Sequence, residues 1–172
     1  MNYVITGAPS SGKTTLISAL RGRGYDVVEE MARVCIHRGL SQGKTIVDLH
    51  KDEAKFQNDI IVMQIEAERN VPKDRIVFLD RGMPDSWAYY RLHSLPDNQF
   101  FLKAVKNTSY TKVFILDPLP YQADYARIEK SEEEQIKLHE LLHKAYEFFN
   151  IEIVKVPVLP VEERMEFILR NL

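Results

Sequence analysis

The chain has 172 residues, 45% of them hydrophobic, which is enough for one domain with a sizeable core over residues 1–172. Its 23 basic and 25 acidic residues give a formal net charge of −2 without any block of like charge, so there is no general electrostatic basis for binding nucleic acid or a membrane surface. The single cysteine, Cys35, excludes an internal disulfide, and because we find neither a signal peptide nor an apolar run of membrane-spanning length, we expect a cytoplasmic protein.

The first predicted elements are an apolar strand at residues 3–5 and a helix that begins near Lys13, and the loop between them matches the pattern G-x-x-x-x-G-K-[ST] at every fixed position. Such a loop turns successive main-chain N–H groups toward a phosphate, and the helix N-terminus adds its positive dipole end. Lys13 is placed to reach the β- and γ-phosphates, Thr14 to ligate Mg²⁺ and Thr15 to reach the α-phosphate. The alternative is a Gly/Ser-rich turn with a surface lysine. The predicted nucleotide-binding residues are Gly7, Ala8, Pro9, Ser10, Ser11, Gly12, Lys13, Thr14 and Thr15.

Next come a strand at residues 25–29, a helix at 30–37, a mobile loop at 39–44 and one long amphipathic helix at 47–68. The second strand ends in two acids, Glu29 and Glu30, beside the phosphate loop. A kinase needs a carboxylate there to accept the proton of the attacking hydroxyl. Because side chains alternate along a strand, we expect only one acid to face the cleft and the other to be solvated or paired with Arg33. The alternative is a salt-bridged pair at a helix start.

Residues 75–80 form an apolar strand that ends in Asp80, which is the pattern of a buried parallel strand followed by a magnesium-binding acid. Asp80 can hold Mg²⁺ directly or through a water, or it can cap the next turn. Arg81 has two open roles, facing the phosphates or pairing with Glu30. Asp85 is predicted to cap a helix that runs to about His93, and Asp97 to cap another at residues 99–106. Three aromatic residues of the first helix can stack on a substrate or pack in the core: Trp87, Tyr89 and Tyr90.

The last third of the chain contains strands at residues 112–117 and 151–156 and helices at 132–149 and 160–172. Residues 118–131 are predicted as a lid segment or a plain surface loop. Within it, Arg127 is placed to stabilise charge on the transferring phosphoryl group, and Lys130 is an alternative. Five strands alternating with helices predict an α/β fold with three layers, in which a five-stranded parallel sheet has helices on both faces. The ends of the strands place Glu29, Glu30, Asp80 and Asp117 at the same edge of the sheet as the loop.

A second motif competes with the phosphate loop. His139, Glu140 and His143 match H-E-x-x-H on a predicted helix, which is the pattern of zinc hydrolases. No third ligand follows, and a solvated helix face explains the same residues. Cys35 is expected to be a small core residue rather than a nucleophile.

The chain resembles the NadR-like P-loop proteins, a family that includes ribosylnicotinamide kinase domains, over nearly its whole length. Besides the phosphate loop, the resemblance rests on Glu30-Met-Ala-Arg33, on Asp124-Tyr-Ala-Arg127 and on the final strand that leads to a helix with Arg164. It implies that Glu30 rather than Glu29 is the site acid and that Arg127 is the lid residue. Asp80-Arg81-Gly82 departs from the family pattern and is similar to the Asp/Glu-Arg-Ser of deoxynucleoside kinases, so ribosylnicotinamide is not implied as the substrate.

Together these patterns predict a protein that binds ATP and Mg²⁺ and transfers a phosphoryl group to a nucleoside-like hydroxyl, with Lys13, Glu30, Asp80, Arg81 and Arg127 as catalytic residues and Thr14 and Asp80 as metal ligands. Other members of the family are known only as nucleotide-binding ATPases or GTP-binding proteins, so a nucleotide-dependent switch without an acceptor stays open. ATP is favoured over GTP by the resemblance and because no N-K-x-D signature is present. The sequence specifies neither the acceptor nor the oligomeric state.

Overall fold

The structure, a computed structural model, describes residues 1–72, 74–96, 99–120 and 131–172. The predicted helix cap Asp97 and the predicted lid residues Arg127 and Lys130 lie outside these ranges, as does most of the segment 118–131. In the described ranges, no helix combines the length and the apolar character that crossing a membrane requires.

A single parallel sheet forms the centre of the molecule. Its strands are β1 (Asn2–Gly7), β2 (Asp26–Val28), β3 (Val77–Asp80), β4 (Lys112–Leu116) and β5 (Ile153–Val156). They lie in the order β2-β3-β1-β4-β5, and every pairing is parallel. β3 therefore separates β2 from β1, and the chain after β2 reaches the phosphate loop across the end of β3.

Helices cover both faces of the sheet, which confirms the predicted architecture. On one face, α1 and α8 bury Leu16 and Ile168 against Tyr3 and Ile5 of β1. On the other face, α7 places Tyr146 against Val4, the intervening residue of the same strand. The described helices are α1 (Lys13–Gly22), α2 (Met31–Ser41), α3 (Ile46–Leu49), α4 (Glu53–Arg69), α5 (Met83–Leu92), α6 (Gln99–Lys106), α7 (Glu132–Phe148) and α8 (Val161–Arg170).

The single helix predicted at residues 47–68 is wrong, because the chain forms α3 and α4 there. Thr45 begins α3 by accepting a hydrogen bond from the Asp48 N–H at 3.1 Å, and Asp52 begins α4 by accepting from the Lys55 N–H at 2.9 Å. Thr45 sets the start of the run, and the N-cap Asp52 inside it divides a stretch whose apolar spacing alone favours one helix.

The loop predicted at residues 39–44 is also wrong in its first half, since α2 continues to Ser41. Gly39 is buried in this last turn, and a β-carbon on it would lie 2.6 Å from the Leu49 Cδ2 atom. The glycine therefore lets α2 and α3 approach closely, so here it indicates packing rather than a loop.

Candidate nucleotide-binding and catalytic site

The phosphate loop joins the end of β1 to the first turn of α1. Ser10 and Gly12 have φ angles of 62° and 75°, and the Ser11 N–H donates to the Ala8 carbonyl oxygen at 3.2 Å. Gly12 is the N-cap of α1 and offers no side-chain acceptor, and the first turn contains no acid. The N–H groups at this helix start are thus left for an anion, as the sequence predicts for this loop.

Lys13 and Asp80 form a buried ion pair at the ends of α1 and β3. The Lys13 Nζ atom also lies 3.6 Å from Glu30 Oε2. Burial raises the pKa of Asp80 above its ordinary value although Lys13 acts in the opposite direction. The predicted phosphate-binding lysine, the predicted metal ligand and the predicted base therefore lie together.

Glu30 rather than Glu29 lies in the cleft. Arg81 Nε is 2.7 Å from Glu30 Oε1, and Arg33 Nη2 is 3.2 Å from Glu30 Oε2. Burial raises the pKa of Glu30, but the charges of Arg81, Lys13 and Arg33 outweigh burial and lower it to about 2. Glu29 points to solvent and pairs with Arg21 at 2.5 Å. Arg33, which the sequence offered as a partner for the acid outside the cleft, pairs with Glu30 instead.

Arg81 joins Glu30 to the rest of the site. Its backbone is in the left-handed region with φ 72°, which is an uncommon conformation for a residue other than glycine. Its Nη1 atom lies 3.0 Å from Asp85 Oδ1 and 3.3 Å from the Gly7 carbonyl oxygen. Of the two roles left open by the sequence, the structure shows the pairing with Glu30.

Asp85 is a buried residue of the site for which the sequence predicts only a helix cap. It is the third residue of α5 rather than its N-cap, although its Oδ2 atom does accept from the Gly82 N–H at 3.1 Å. It also accepts hydrogen bonds from Thr6 and, at 2.5 Å, from the Tyr146 hydroxyl. Asp85 follows Arg81 by four residues at the start of a helix, and this spacing is the sequence feature that indicates an Arg81–Asp85 ion pair.

A cavity of about 920 Å³ extends from the phosphate loop to α2, α4 and α5. Glu30 and Arg81 lie on its wall. Beyond them the lining is mostly apolar, with Ile36, Phe56 and Ile60. Its polar side chains include Arg33, His37, His50, Gln57, Gln64, Ser86 and Tyr89. This volume includes the space in front of the phosphate loop, and the part that extends toward α2, α4 and α5 is the candidate place for a second small molecule.

Sequence comparison matches residues 2–164 to the AAA domain family. The chain belongs to this family. No curated protein matches the chain.

The chain is similar in structure to several solved proteins. The match to the NadR protein solved in complex with NR covers 98% of this chain and 49% of that protein, with a TM-score of 0.76 and 21% identity. This chain therefore spans about half the length of that protein. The match to thymidylate kinase from Ehrlichia chaffeensis covers 99% of this chain and 97% of that kinase, with a TM-score of 0.70 and 13% identity. The match to deoxyadenosine kinase from M. mycoides with bound dATP covers 99% of this chain and 98% of that kinase, with a TM-score of 0.67 and 14% identity. The predicted likeness to NadR and to deoxynucleoside kinases is confirmed for the fold.

The oxygen groups around Lys13 fit a magnesium ion held mainly by phosphates. Thr14 is exposed at the start of α1, where its Oγ1 atom lies 3.4 Å from Arg33 Nη2, and Asp80 supplies a carboxylate. Within the described ranges of the AAA domain, no group of three or more His, Cys, Asp or Glu residues could hold a metal ion. Mg²⁺ bound to a nucleotide needs only one or two protein ligands, so Thr14 and Asp80 remain the predicted pair.

The remaining candidates lie in different surroundings. Tyr89 lines the cavity, whereas Tyr90 stacks on Phe101 and Trp87 stacks on Phe148. Cys35 is partly buried, and burial raises the pKa of its thiol.

The two histidines of the H-E-x-x-H match lie on α7 with ring centroids 4.9 Å apart. His139 Nε2 is 4.0 Å from Asp117 Oδ1, and burial lowers the pKa of both histidines. Neither contributes to the described lining of the cavity.

Proposed function

We propose that this AAA domain is an ATP- and Mg²⁺-dependent kinase that transfers the γ-phosphoryl group to a hydroxyl of a nucleoside-like small molecule. The observation that carries the proposal is the position of Glu30. Its carboxylate is 3.6 Å from the Nζ atom of the phosphate-loop lysine, and it lines a cavity that continues away from the loop. A carboxylate between a phosphate site and a second binding space is the arrangement that phosphoryl transfer to a hydroxyl requires.

The charges of the site favour an acceptor without a phosphate group. Lys13 and Arg81 each contact two carboxylates, and Arg33 pairs with Glu30. Binding a phosphorylated acceptor beside ATP would call for cations in excess of these pairs. The apolar wall with a few polar side chains suits a nucleoside, and the similarity to a deoxyadenosine kinase and to NadR bound to NR agrees with this choice.

Each site residue then has a defined task. Lys13 and the loop N–H groups bind the phosphates, and Thr14 and Asp80 hold Mg²⁺, which supplies neutralisation of phosphate charge when bound. Glu30 is ionised at neutral pH, and because its pKa is about 2 it is a weak base. Its task is to orient the hydroxyl and to take the proton late, once the bond to phosphorus has made that proton acidic. Arg81 holds Glu30 in place, and Arg127 is proposed from the sequence to stabilise charge on the transferred group.

The proposal is tested by measuring ADP formation with and without a panel of nucleosides. We expect at least one nucleoside to raise the rate of the wild type and Glu30→Gln to lower that rate about 100-fold, within the usual range for a proton-transfer residue. ATP affinity should stay close to that of the wild type. Glu29→Gln is the matched control, because Glu29 is the neighbouring acid but lies at the surface with Arg21.

Two results would contradict the kinase proposal. One is that no acceptor stimulates the wild type, and the other is that Glu30→Gln turns over as fast as Glu29→Gln. Together they would leave a nucleotide-dependent switch or ATPase as the function.

A further inference from the structure

Arg164 is a buried cation in the first turn of α8 that the proposed reaction does not use. The residue is only 4% exposed, and its Nη1 atom donates to the Ser11 carbonyl oxygen at 2.8 Å. A β-carbon on Gly12 would lie 2.9 Å from the same Nη1 atom. One arginine thus joins the C-terminal helix to the back of the phosphate loop.

The charge of Arg164 has no carboxylate partner among the described residues. The hydrogen bond that its guanidinium donates goes to the main-chain carbonyl of Ser11, and its Nε atom is buried without a hydrogen-bond partner among the described residues. Burial lowers the pKa of the guanidinium below its ordinary value. Buried cations are normally paired, as Arg81 is with Glu30 and Asp85.

The surroundings of this guanidinium are also positive. It lies against Gly12 at the N-terminus of α1, and its own residue is in the first turn of α8, so the positive ends of two helix dipoles lie close to it. The first turn of α1 has no acid. The first turn of α8 has two, Glu162 and Glu163, but both are exposed, and neither pairs with Arg164 among the described contacts. An anion that enters the phosphate loop would relieve this accumulation of positive charge.

We propose that Arg164 is a positioning residue of the phosphate loop that supports nucleotide binding, with its charge compensated by the polyphosphate of the bound nucleotide. It acts from behind the loop, where it holds the Ser11 carbonyl outward while the N–H groups that follow serve the phosphates. This inference rests on the nucleotide-binding part of the proposed function and not on the acceptor or on catalysis.

The test compares Arg164→Gln with Arg164→Lys. Lysine keeps the charge and an N–H donor for the Ser11 carbonyl, whereas the shorter glutamine loses the charge and the hydrogen bond of the Nη1 atom together. We expect Arg164→Gln to weaken ATP binding in calorimetry by about tenfold and Arg164→Lys by no more than about threefold. Arg170→Gln, an exposed arginine in the last turn of α8, is the matched control and should bind ATP like the wild type.

Thermal unfolding separates this role from a structural one. Without nucleotide, Arg164→Gln should unfold at a temperature no lower than the wild type, because an unpaired buried charge has been removed. With ATP, its increase in Tm should be smaller. Tripolyphosphate, which has no nucleoside, should show the same loss of affinity as ATP.

Three results would overturn the proposal: wild-type ATP affinity in Arg164→Gln, an equal loss in the glutamine and lysine variants, or a loss with ATP that is absent with tripolyphosphate. If the wild type phosphorylates no acceptor but its ATP affinity depends on Arg164 in the expected way, the kinase proposal fails and the role of Arg164 stands.

Discussion

Glu30 interacts with charged groups from three parts of the fold. Lys13 approaches it from α1, Arg33 from α2 and Arg81 from the turn after β3, while Asp80 adds a like charge nearby. In the folded state these cations lower its pKa from an ordinary value of 4.5 to about 2. The ionised carboxylate therefore stabilises the folded state.

The lowered pKa predicts a specific dependence of stability on pH. A carboxyl with a depressed pKa stabilises the folded state above its ordinary pKa, and this contribution is lost as the pH falls from about 4.5 to about 2. At neutral pH it is on the order of 3 kcal/mol. The free energy of unfolding, measured with urea at stepped pH, should fall more steeply for the wild type than for Glu30→Gln over this range. Parallel curves would contradict the assignment, and Asp48, whose pKa is lowered by Lys51 and Thr45, titrates in both proteins.

The sequence alone predicts which of Glu29 and Glu30 is the acid in the cleft. The alternation of side chains along a strand predicts that one acid faces the cleft, and the family resemblance favours Glu30. Pairing with Glu30 is one of two roles that the sequence leaves open for Arg81, and it does not decide between them because 51 positions separate the two residues. Periodicity carries no information about such contacts.

At the scale of elements, the N-terminus of α5 holds three parts of the site together. Asp85 accepts hydrogen bonds from Thr6 of β1, from Tyr146 of α7 and from Arg81. The carboxylate is only 3% exposed, so each lost partner leaves a buried polar group unsatisfied. Asp85 is therefore expected to fix Arg81, and through it Glu30.

Two substitutions in this network separate stability from turnover. In Asp85→Asn an N–H group must face either Arg81 or the Gly82 N–H, so we expect a loss of about 2–4 kcal/mol of unfolding free energy and at least about tenfold slower turnover.

Tyr146→Phe removes one hydrogen bond to the same carboxylate but leaves Arg81 in place. It should cost about 1.5–3 kcal/mol in urea unfolding while turnover stays near the wild-type rate. Equal effects on turnover would show that Asp85 acts through general stability alone.

The elements that the sequence predicted well are those with a strong local pattern. β1, β3 and β4 are buried apolar runs, and the phosphate loop follows β1 as expected. The break between α3 and α4 was missed because apolar spacing continues across it, although the capping residues Thr45 and Asp52 are visible in the sequence. Capping decided the boundary, and hydrophobic periodicity did not.

At the scale of the whole molecule, the strand order brings the site together. β3 lies between β1 and β2, so Asp80 at its end is next to the phosphate loop, and Glu30 reaches Lys13 across it. On the other side of β1, β4 and β5 lead to α8 and Arg164. The sequence predicts that parallel strand ends share an edge, but it does not specify which strand is adjacent to which.

In the proposed reaction, the cavity at the phosphate loop receives a hydroxyl that accepts the phosphoryl group. The most direct measurement is mass spectrometry of the nucleoside panel after incubation with ATP, Mg²⁺ and the wild-type protein. We predict a nucleoside monophosphate formed in equal amount to ADP, which disappears when Mg²⁺ is chelated and falls sharply in Glu30→Gln. Formation of ADP with inorganic phosphate alone, at the same rate in the presence and absence of every nucleoside, would contradict the account.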